Sequence, residues 1–111
     1  MTTSITSTVE LLQLLEKYQC IVIKFSASWC KPCKNKNFLE AYYKLKNEFN
    51  SYHNVLFLEL DIDEHETIIE QFKISAVPTI KVFSFRKQFS EYTGIDELNK
   101  VKTDILNIIG M

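Results

Sequence analysis

The sequence lacks the features that mark several protein classes. Its three cysteines are too few for the disulfide framework of a small secreted scaffold. No stretch approaches the roughly 20 apolar residues of a membrane-spanning helix, and residues 1–7 have neither the basic nor the apolar segment of a signal peptide. The formal net charge of −1 indicates no surface for nucleic acid or an anionic membrane. We therefore expect a cytoplasmic monomer that binds neither nucleic acid nor membrane.

The chain also lacks any linker, repeat or low-complexity segment that would divide it. A domain of 111 residues hides about two-thirds of the surface that its unfolded chain would expose. A domain that buries this share of its surface needs no metal ion and no structural disulfide to fold. We therefore predict one domain over residues 1–111.

Hydrophobic patterning predicts helices that alternate with strands. The short apolar runs at 21–25 and 55–60 are typical of strands buried on both faces, and an amphipathic helix is predicted between them at 34–49. Because a strand–helix–strand crossover joins them, the two strands should be parallel. The other predicted elements are a short strand that includes Ile5, helices at 8–18, around 68–72 and from 98 onward, and strands at 79–84 and 89–92. Together they predict an α/β fold in which helices flank both faces of a central mixed β-sheet.

The run Trp29-Cys30-Lys31-Pro32-Cys33 carries the candidate chemistry. At the start of the predicted helix, unpaired backbone amides and the helix dipole would favour the Cys30 thiolate, and the charge of Lys31 would add to this effect. Cys33 lies three residues on, within reach of the same sulfur. Pro32 is compatible with a first helical turn, and Trp29 offers an apolar contact for a substrate. The pattern favours a redox-active dithiol in which Cys30 attacks and Cys33 resolves.

The alternative interpretation of a CxxC motif is half of a zinc site. The ligands left for such a site are Cys20, His53 and His65. None of these forms a second CxxC or a paired histidine motif, so we favour redox chemistry. We interpret Cys20 as an inert, partly buried thiol.

The sequence resembles the thioredoxin family over almost its whole length. The segments that carry the resemblance are Phe25-Ser26-Ala27-Ser28-Trp29-Cys30-Lys31-Pro32-Cys33-Lys34, Leu60-Asp61-Ile62-Asp63, Val77-Pro78-Thr79 and Gly94. The resemblance implies the thioredoxin fold, with Pro78 cis and facing the two sulfurs. It also implies that the backbone of Val77 pairs with an extended segment of the substrate.

The same resemblance implies the activity of a thiol–disulfide oxidoreductase. Cys30 would attack a disulfide in a substrate protein, and Cys33 would resolve the mixed disulfide. The resulting disulfide would be reduced without a bound cofactor, by electrons from NADPH through a thioredoxin reductase. Two alternatives stay open: a disulfide oxidant or isomerase, which Lys31 favours, and a binding module with little turnover.

This chain departs from the family pattern at several positions. The family usually has glycine at Lys31, and its hairpin usually has Asn-Gly where this chain has Phe85-Arg86. The absence of Asn-Gly argues against a two-residue type I′ turn.

A further departure lies in the two predicted buried strands. Most thioredoxins bury an aspartate at the position of Lys24 and often have a lysine at the position of Glu59. Because an isolated buried charge is costly, we predict that Lys24 and Glu59 form an ion pair beneath Cys33. The pair would either assist proton transfer during resolution or be purely structural.

Overall fold

Helices and strands alternate along the computed structural model, which describes residues 7–110. The elements in chain order are α1 Thr8–Lys17, β1 Cys20–Ser26, a 3₁₀ turn Pro32–Lys34, α2 Lys36–Glu48, β2 Val55–Asp61, α3 Glu66–Phe72, β3 Thr79–Ser84, β4 Lys87–Thr93 and α4 Leu98–Ile109. The strand predicted at Ile5 lies outside the described residues. Within those residues, no helix is long and apolar enough to cross a membrane.

Local sequence signals set several of the element ends. The side chain of Ser7 accepts a hydrogen bond of 3.1 Å from the backbone amide of Glu10, which caps α1 as the spacing of the two residues predicts. At the other end of the chain, α4 ends at Gly110, whose positive φ of 80° is typical of a helix C-terminus.

The four strands form one mixed sheet in the order β2-β1-β3-β4. Strands β1 and β2 are parallel, whereas β3 is antiparallel to both β1 and β4. The predicted parallel pair and the antiparallel hairpin are therefore confirmed. Because β1 lies inside the sheet, all its residues except Ser26 are buried, which explains its nearly continuous apolar run.

Helices cover both faces of the sheet, as predicted. On one face, Val22 of β1 and Ile80 of β3 pack with residues of α2 and α4. On the other face, Ile21 and Ile23 of β1 pack with residues of α1 and α3. Consecutive residues of β1 thus belong to opposite cores, as the two-residue period of a strand requires.

The structure corrects the predicted start of the second helix. Helix α2 begins at Lys36, because Asn35 adopts a non-helical ψ of 123° and its side chain caps the amide of Phe38 at 2.9 Å. The redox motif precedes this cap, so Cys30 does not lie in the first turn of α2. Cys30 therefore lies just before the 3₁₀ turn Pro32–Lys34 and not at the N-terminus of α2, where the sequence analysis placed it.

The hairpin between β3 and β4 also differs from the prediction. Phe85 and Arg86 form a two-residue loop in which both φ angles are positive, at 43° and 71°. Positive φ at both central residues is the requirement of a type I′ turn, whose twist matches that of the flanking strands. The strand pairing therefore overrides the unfavourable local preference of these two residues.

We expect the double variant Phe85→Asn/Arg86→Gly to be more stable than the wild type by about 1–2 kcal/mol, because both new residues tolerate positive φ. The measurement is the urea midpoint of unfolding. The variant also removes the exposed ion pair between Arg86 and Glu16, 3.0 Å long, so Glu16→Gln is the control and should cost less than about 1 kcal/mol. An unchanged or lower midpoint for the double variant would contradict this prediction.

Candidate active site: the Cys30–Cys33 dithiol

Cys33 lies in the 3₁₀ turn Pro32–Lys34, and Cys30 lies at the end of the loop that joins β1 to this turn. They form a disulfide with a Cα–Cα distance of 5.3 Å, and both residues are buried. The backbone amide of Cys33 donates to Cys30 Sγ at 3.2 Å. Once the disulfide is reduced, this amide would stabilise a thiolate on Cys30. This donor is a backbone amide of the kind that the sequence analysis expected beside Cys30, and it belongs to the 3₁₀ turn.

The loop before β3 forms the opposite wall of the site. The Val77–Pro78 peptide bond is cis, as the resemblance implies, and the carbonyl oxygen of Val77 lies 3.6 Å from Cys30 Sγ. Val77 and Ile62 pack against the small buried cluster that contains both cysteines. The backbone of Val77 therefore borders the dithiol.

Trp29, the residue before Cys30, is 64% exposed. Its Nε1 donates to Asp63 Oδ2 at 2.8 Å, and the amide of Asp63 donates to Asp61 Oδ1, also at 2.8 Å. The sequence analysis used both aspartates as family markers but gave them no function. The hydrogen bond to Asp63 orients the Trp29 ring, and Asp61 in turn holds the backbone of Asp63.

The predicted ion pair between Lys24 and Glu59 is present. The two residues are direct neighbours in the β1–β2 register, and Lys24 Nζ lies 3.0 Å from Glu59 Oε1. The side chain of Lys24 is 7% exposed and that of Glu59 is 34% exposed. The pair therefore joins a buried cation to a carboxylate that reaches solvent.

Comparison with known proteins identifies the family. The family model described as Thioredoxin matches residues 3–107 of the chain. This chain belongs to the thioredoxin family. Together with the Cys30–Cys33 pair, membership in the thioredoxin family identifies the chain as a thiol–disulfide oxidoreductase.

Individual thioredoxins are similar to this chain at moderate identity. Sheep (Ovis aries) thioredoxin is 30% identical over 89 residues, which cover 80% of this chain and 79% of the sheep protein. Thioredoxin from Geodia cydonium is 38% identical over 72 residues, which cover 65% and 63% of the two chains.

Solved structures support the thioredoxin fold. Oxidised mitochondrial thioredoxin 3 of Saccharomyces cerevisiae superposes with a TM-score of 0.80 at 27% identity, and the match covers 93% of this chain and 94% of the yeast chain. Thioredoxin from Trypanosoma brucei brucei superposes with a TM-score of 0.83 at 21% identity and covers 100% and 93% of the two chains.

The two residues between the cysteines lie at the surface. Lys31 and Pro32 are exposed between the two buried cysteines. Lys31, the residue next to Cys30, therefore presents its charge to solvent.

The residues weighed for a zinc site are not brought together. Within residues 7–110, no group of three or more His, Cys, Asp or Glu side chains could hold a metal ion. Cys20 is fully buried at the start of β1, more deeply than the sequence analysis expected. Burial, reinforced by the negative charge of Asp104, raises the pKa of Cys20 from 9.0 to about 12.

We expect Cys20 to resist alkylation in the folded, reduced protein, because its thiolate fraction is lowered roughly 10³-fold. Iodoacetamide at pH 8, followed by mass spectrometry, should modify Cys30 within minutes and Cys20 only after unfolding in urea. Equal labelling of all three cysteines in the native protein would refute the expectation.

The same shift has a consequence for stability. The pKa of Cys20 is higher in the folded chain than in the unfolded one, so its contribution to stability is complete below pH 9 and is lost as the pH rises towards 12.

Proposed function

We propose that the protein reduces disulfides in other proteins by a two-step exchange. The Cys30 thiolate attacks one sulfur of a substrate disulfide, which forms a mixed disulfide and releases the first substrate thiolate. Cys33 then attacks Cys30 Sγ and releases the second substrate thiolate. The dithiol loses two electrons in this cycle and ends as the Cys30–Cys33 disulfide.

The observation that carries the proposal is the position of Cys30 close to two backbone groups. The amide of Cys33 lies 3.2 Å from its sulfur and can stabilise the attacking thiolate, and the carbonyl of Val77 lies 3.6 Å from the same sulfur. An extended substrate segment could pair with the backbone of Val77 beside cis-Pro78. Exposed Trp29, Lys31 and Pro32 would then contact the same segment.

We further propose that a thioredoxin reductase returns the disulfide to the dithiol with electrons from NADPH. The chain would need no bound cofactor and would act as a monomer in the cytoplasm. Cell fractionation tests the location, which matters because one of the similar structures is a mitochondrial thioredoxin.

The decisive assay is reduction of insulin disulfides by the wild-type protein with NADPH and a thioredoxin reductase. We expect many turnovers per molecule, with NADPH consumed in proportion to the insulin reduced. No turnover would leave the binding module as the better interpretation. Faster oxidation of a reduced protein than reduction of insulin would favour the oxidant or isomerase.

We propose that Lys24 and Glu59 assist the resolving step. The proton of the Cys33 thiol would pass to this pair and on to water, and the Cys33 thiolate would then attack Cys30 Sγ. The arrangement supports this role because Lys24 is buried while Glu59 is one-third exposed, so the pair connects the protein interior with solvent.

Lys31 should make the protein less reducing than its Lys31→Gly variant. A cation beside Cys30 stabilises the thiolate and hence the reduced form, which raises the reduction potential. Because Lys31 is exposed and its charge is screened by solvent, the reduction potential of the wild type should exceed that of Lys31→Gly by only about 10 mV. Equilibration of both proteins with glutathione buffers measures it, with Lys34→Gly as the control. An equal or higher potential for Lys31→Gly would contradict the prediction.

A further inference from the structure

Two aromatic rings of α2 lie next to the buried ammonium group of Lys24. Lys24 Nζ lies 4.5 Å from the centroid of the Tyr42 ring and 5.8 Å from that of Phe38. A cation over an aromatic face is attracted by the ring quadrupole, and the attraction is stronger where water is excluded. Tyr42 is only 1% exposed, so this contact is desolvated.

The Tyr42 ring, and not its hydroxyl, makes the contacts that the structure shows. Within the described residues, the Tyr42 hydroxyl is the buried side-chain polar atom that has no hydrogen-bond partner. Burial and the nearby carboxylate of Glu59 raise the pKa of Tyr42 well above its usual value of 10, so the phenol stays neutral. The ring also packs edge-on against Phe57, with centroids 5.8 Å apart, which holds its face in place.

Of the two strand partners of Lys24, only one carries a charge. Its antiparallel partner on β3 is Ile80, which has no charge, and its partner on β2 is Glu59. The carboxylate attracts the ammonium from the solvent side, and the two rings contact it from α2. A lysine side chain has four rotatable bonds, so only such contacts keep its end in one position.

We propose that Tyr42 is a positioning residue for the redox reaction. Its ring holds the Lys24 ammonium against Glu59, so the pair is in place when the Cys33 proton leaves. The inference rests on the proposed role of the pair in resolution. Tyr42 does not touch the reacting sulfurs in this mechanism and acts through Lys24.

Three variants separate the ring from the hydroxyl and from general effects on α2. Tyr42→Leu removes the ring, and Tyr42→Phe removes only the unpartnered hydroxyl. Tyr43→Leu is the matched control, since Tyr43 is the next residue, is 61% exposed, and has Lys46 Nζ 5.9 Å from its ring centroid. A cation–π contact at such an exposed position contributes little.

The first measurement is the NMR spectrum of the reduced protein. The ε-methylene protons of Lys24 should show an upfield ring-current shift in the wild type, in Tyr42→Phe and in Tyr43→Leu, and should lose it in Tyr42→Leu. The wild-type spectrum alone is decisive if Tyr42→Leu does not fold. Absence of the upfield shift in the wild type would overturn the inference.

The second measurement is the single-turnover rate at which the mixed disulfide is resolved. We expect Tyr42→Leu to slow this step about tenfold. Tyr42→Phe and Tyr43→Leu should both keep the wild-type rate. A wild-type rate in Tyr42→Leu, or an equal loss in Tyr42→Phe, would refute the positioning role. A wild type that shows the shift but never reduces a disulfide would overturn the proposed function and this role with it.

Discussion

Replacement of Cys30 by serine should lower the rate of insulin disulfide reduction by about 10³-fold or more. The attack requires a thiolate, and a serine hydroxyl remains protonated at neutral pH. The fold should survive the change, because a serine side chain occupies nearly the same volume at this buried position. The measurement is the initial rate with excess reductant, so that regeneration does not limit turnover.

The other two cysteines provide the controls for this result. Cys33→Ser should still attack but should not resolve, so it should accumulate a mixed disulfide that non-reducing electrophoresis detects. Its trapped partners from a lysate would then identify physiological substrates. Cys20→Ser should keep the wild-type rate, because Cys20 lies fully buried at the start of β1. Substantial activity in Cys30→Ser would exclude Cys30 as the nucleophile.

Replacement of Glu59 by glutamine should destabilise the protein by about 2 kcal/mol. The variant leaves the ammonium of Lys24 buried without its counter-charge, which costs about 3–5 kcal/mol for a fully buried pair. The smaller value is expected because Glu59 is one-third exposed. Urea unfolding at pH 7 measures the difference. A double replacement with apolar residues, Lys24→Met/Glu59→Leu, should recover most of the loss.

A second buried lysine supplies the matched control for this experiment. Lys81 Nζ lies 3.3 Å from Glu91 Oε1, but it also donates to the backbone carbonyl of Phe72 and, at 3.0 Å, to Gln88 Oε1. Glu91→Gln should therefore cost less than Glu59→Gln, since Lys81 keeps two other partners. An equal cost for both variants would contradict this account of the Lys24–Glu59 pair.

The pH dependence of disulfide reduction distinguishes the two interpretations of the Lys24–Glu59 pair. If the pair moves the Cys33 proton, Glu59→Gln should change the pH profile of the resolving step, whereas Glu91→Gln should not. A Glu59→Gln profile that matches the wild type would remove the catalytic role and leave a structural ion pair. Stability and pH profile therefore test the pair independently.

The order of the secondary-structure elements could be predicted from the sequence because each signal is local. Apolar runs such as 21–25 and 55–60 have the composition of strands buried on both faces, and Ser7 has the spacing of a helix cap. The CxxC motif predicted the dithiol, because two cysteines three residues apart can reach each other in any helical turn. The Lys24–Glu59 pair was predicted by comparison with the family pattern, which often has an acid and a base at these two positions in the opposite order.

Other features depended on contacts that local patterns do not encode. The cap on α2 is an exception, because Asn35 accepts a hydrogen bond from the amide only three residues on, and the sequence analysis missed this local signal among the polar residues 34–37. The hairpin takes a turn that Phe85 and Arg86 disfavour locally, because the pairing of β3 with β4 leaves only two residues for it.

The sequence by itself determined the fold class, the order of the elements and the chemistry of the Cys30–Cys33 pair. Only the tertiary structure decided what surrounds that chemistry: the carbonyl of Val77 beside Cys30, the aspartate that holds Trp29, and the Tyr42 ring over Lys24. The physical reason is distance along the chain. Local propensities fix elements and motifs, whereas contacts between distant residues form only when the sheet and helices pack together.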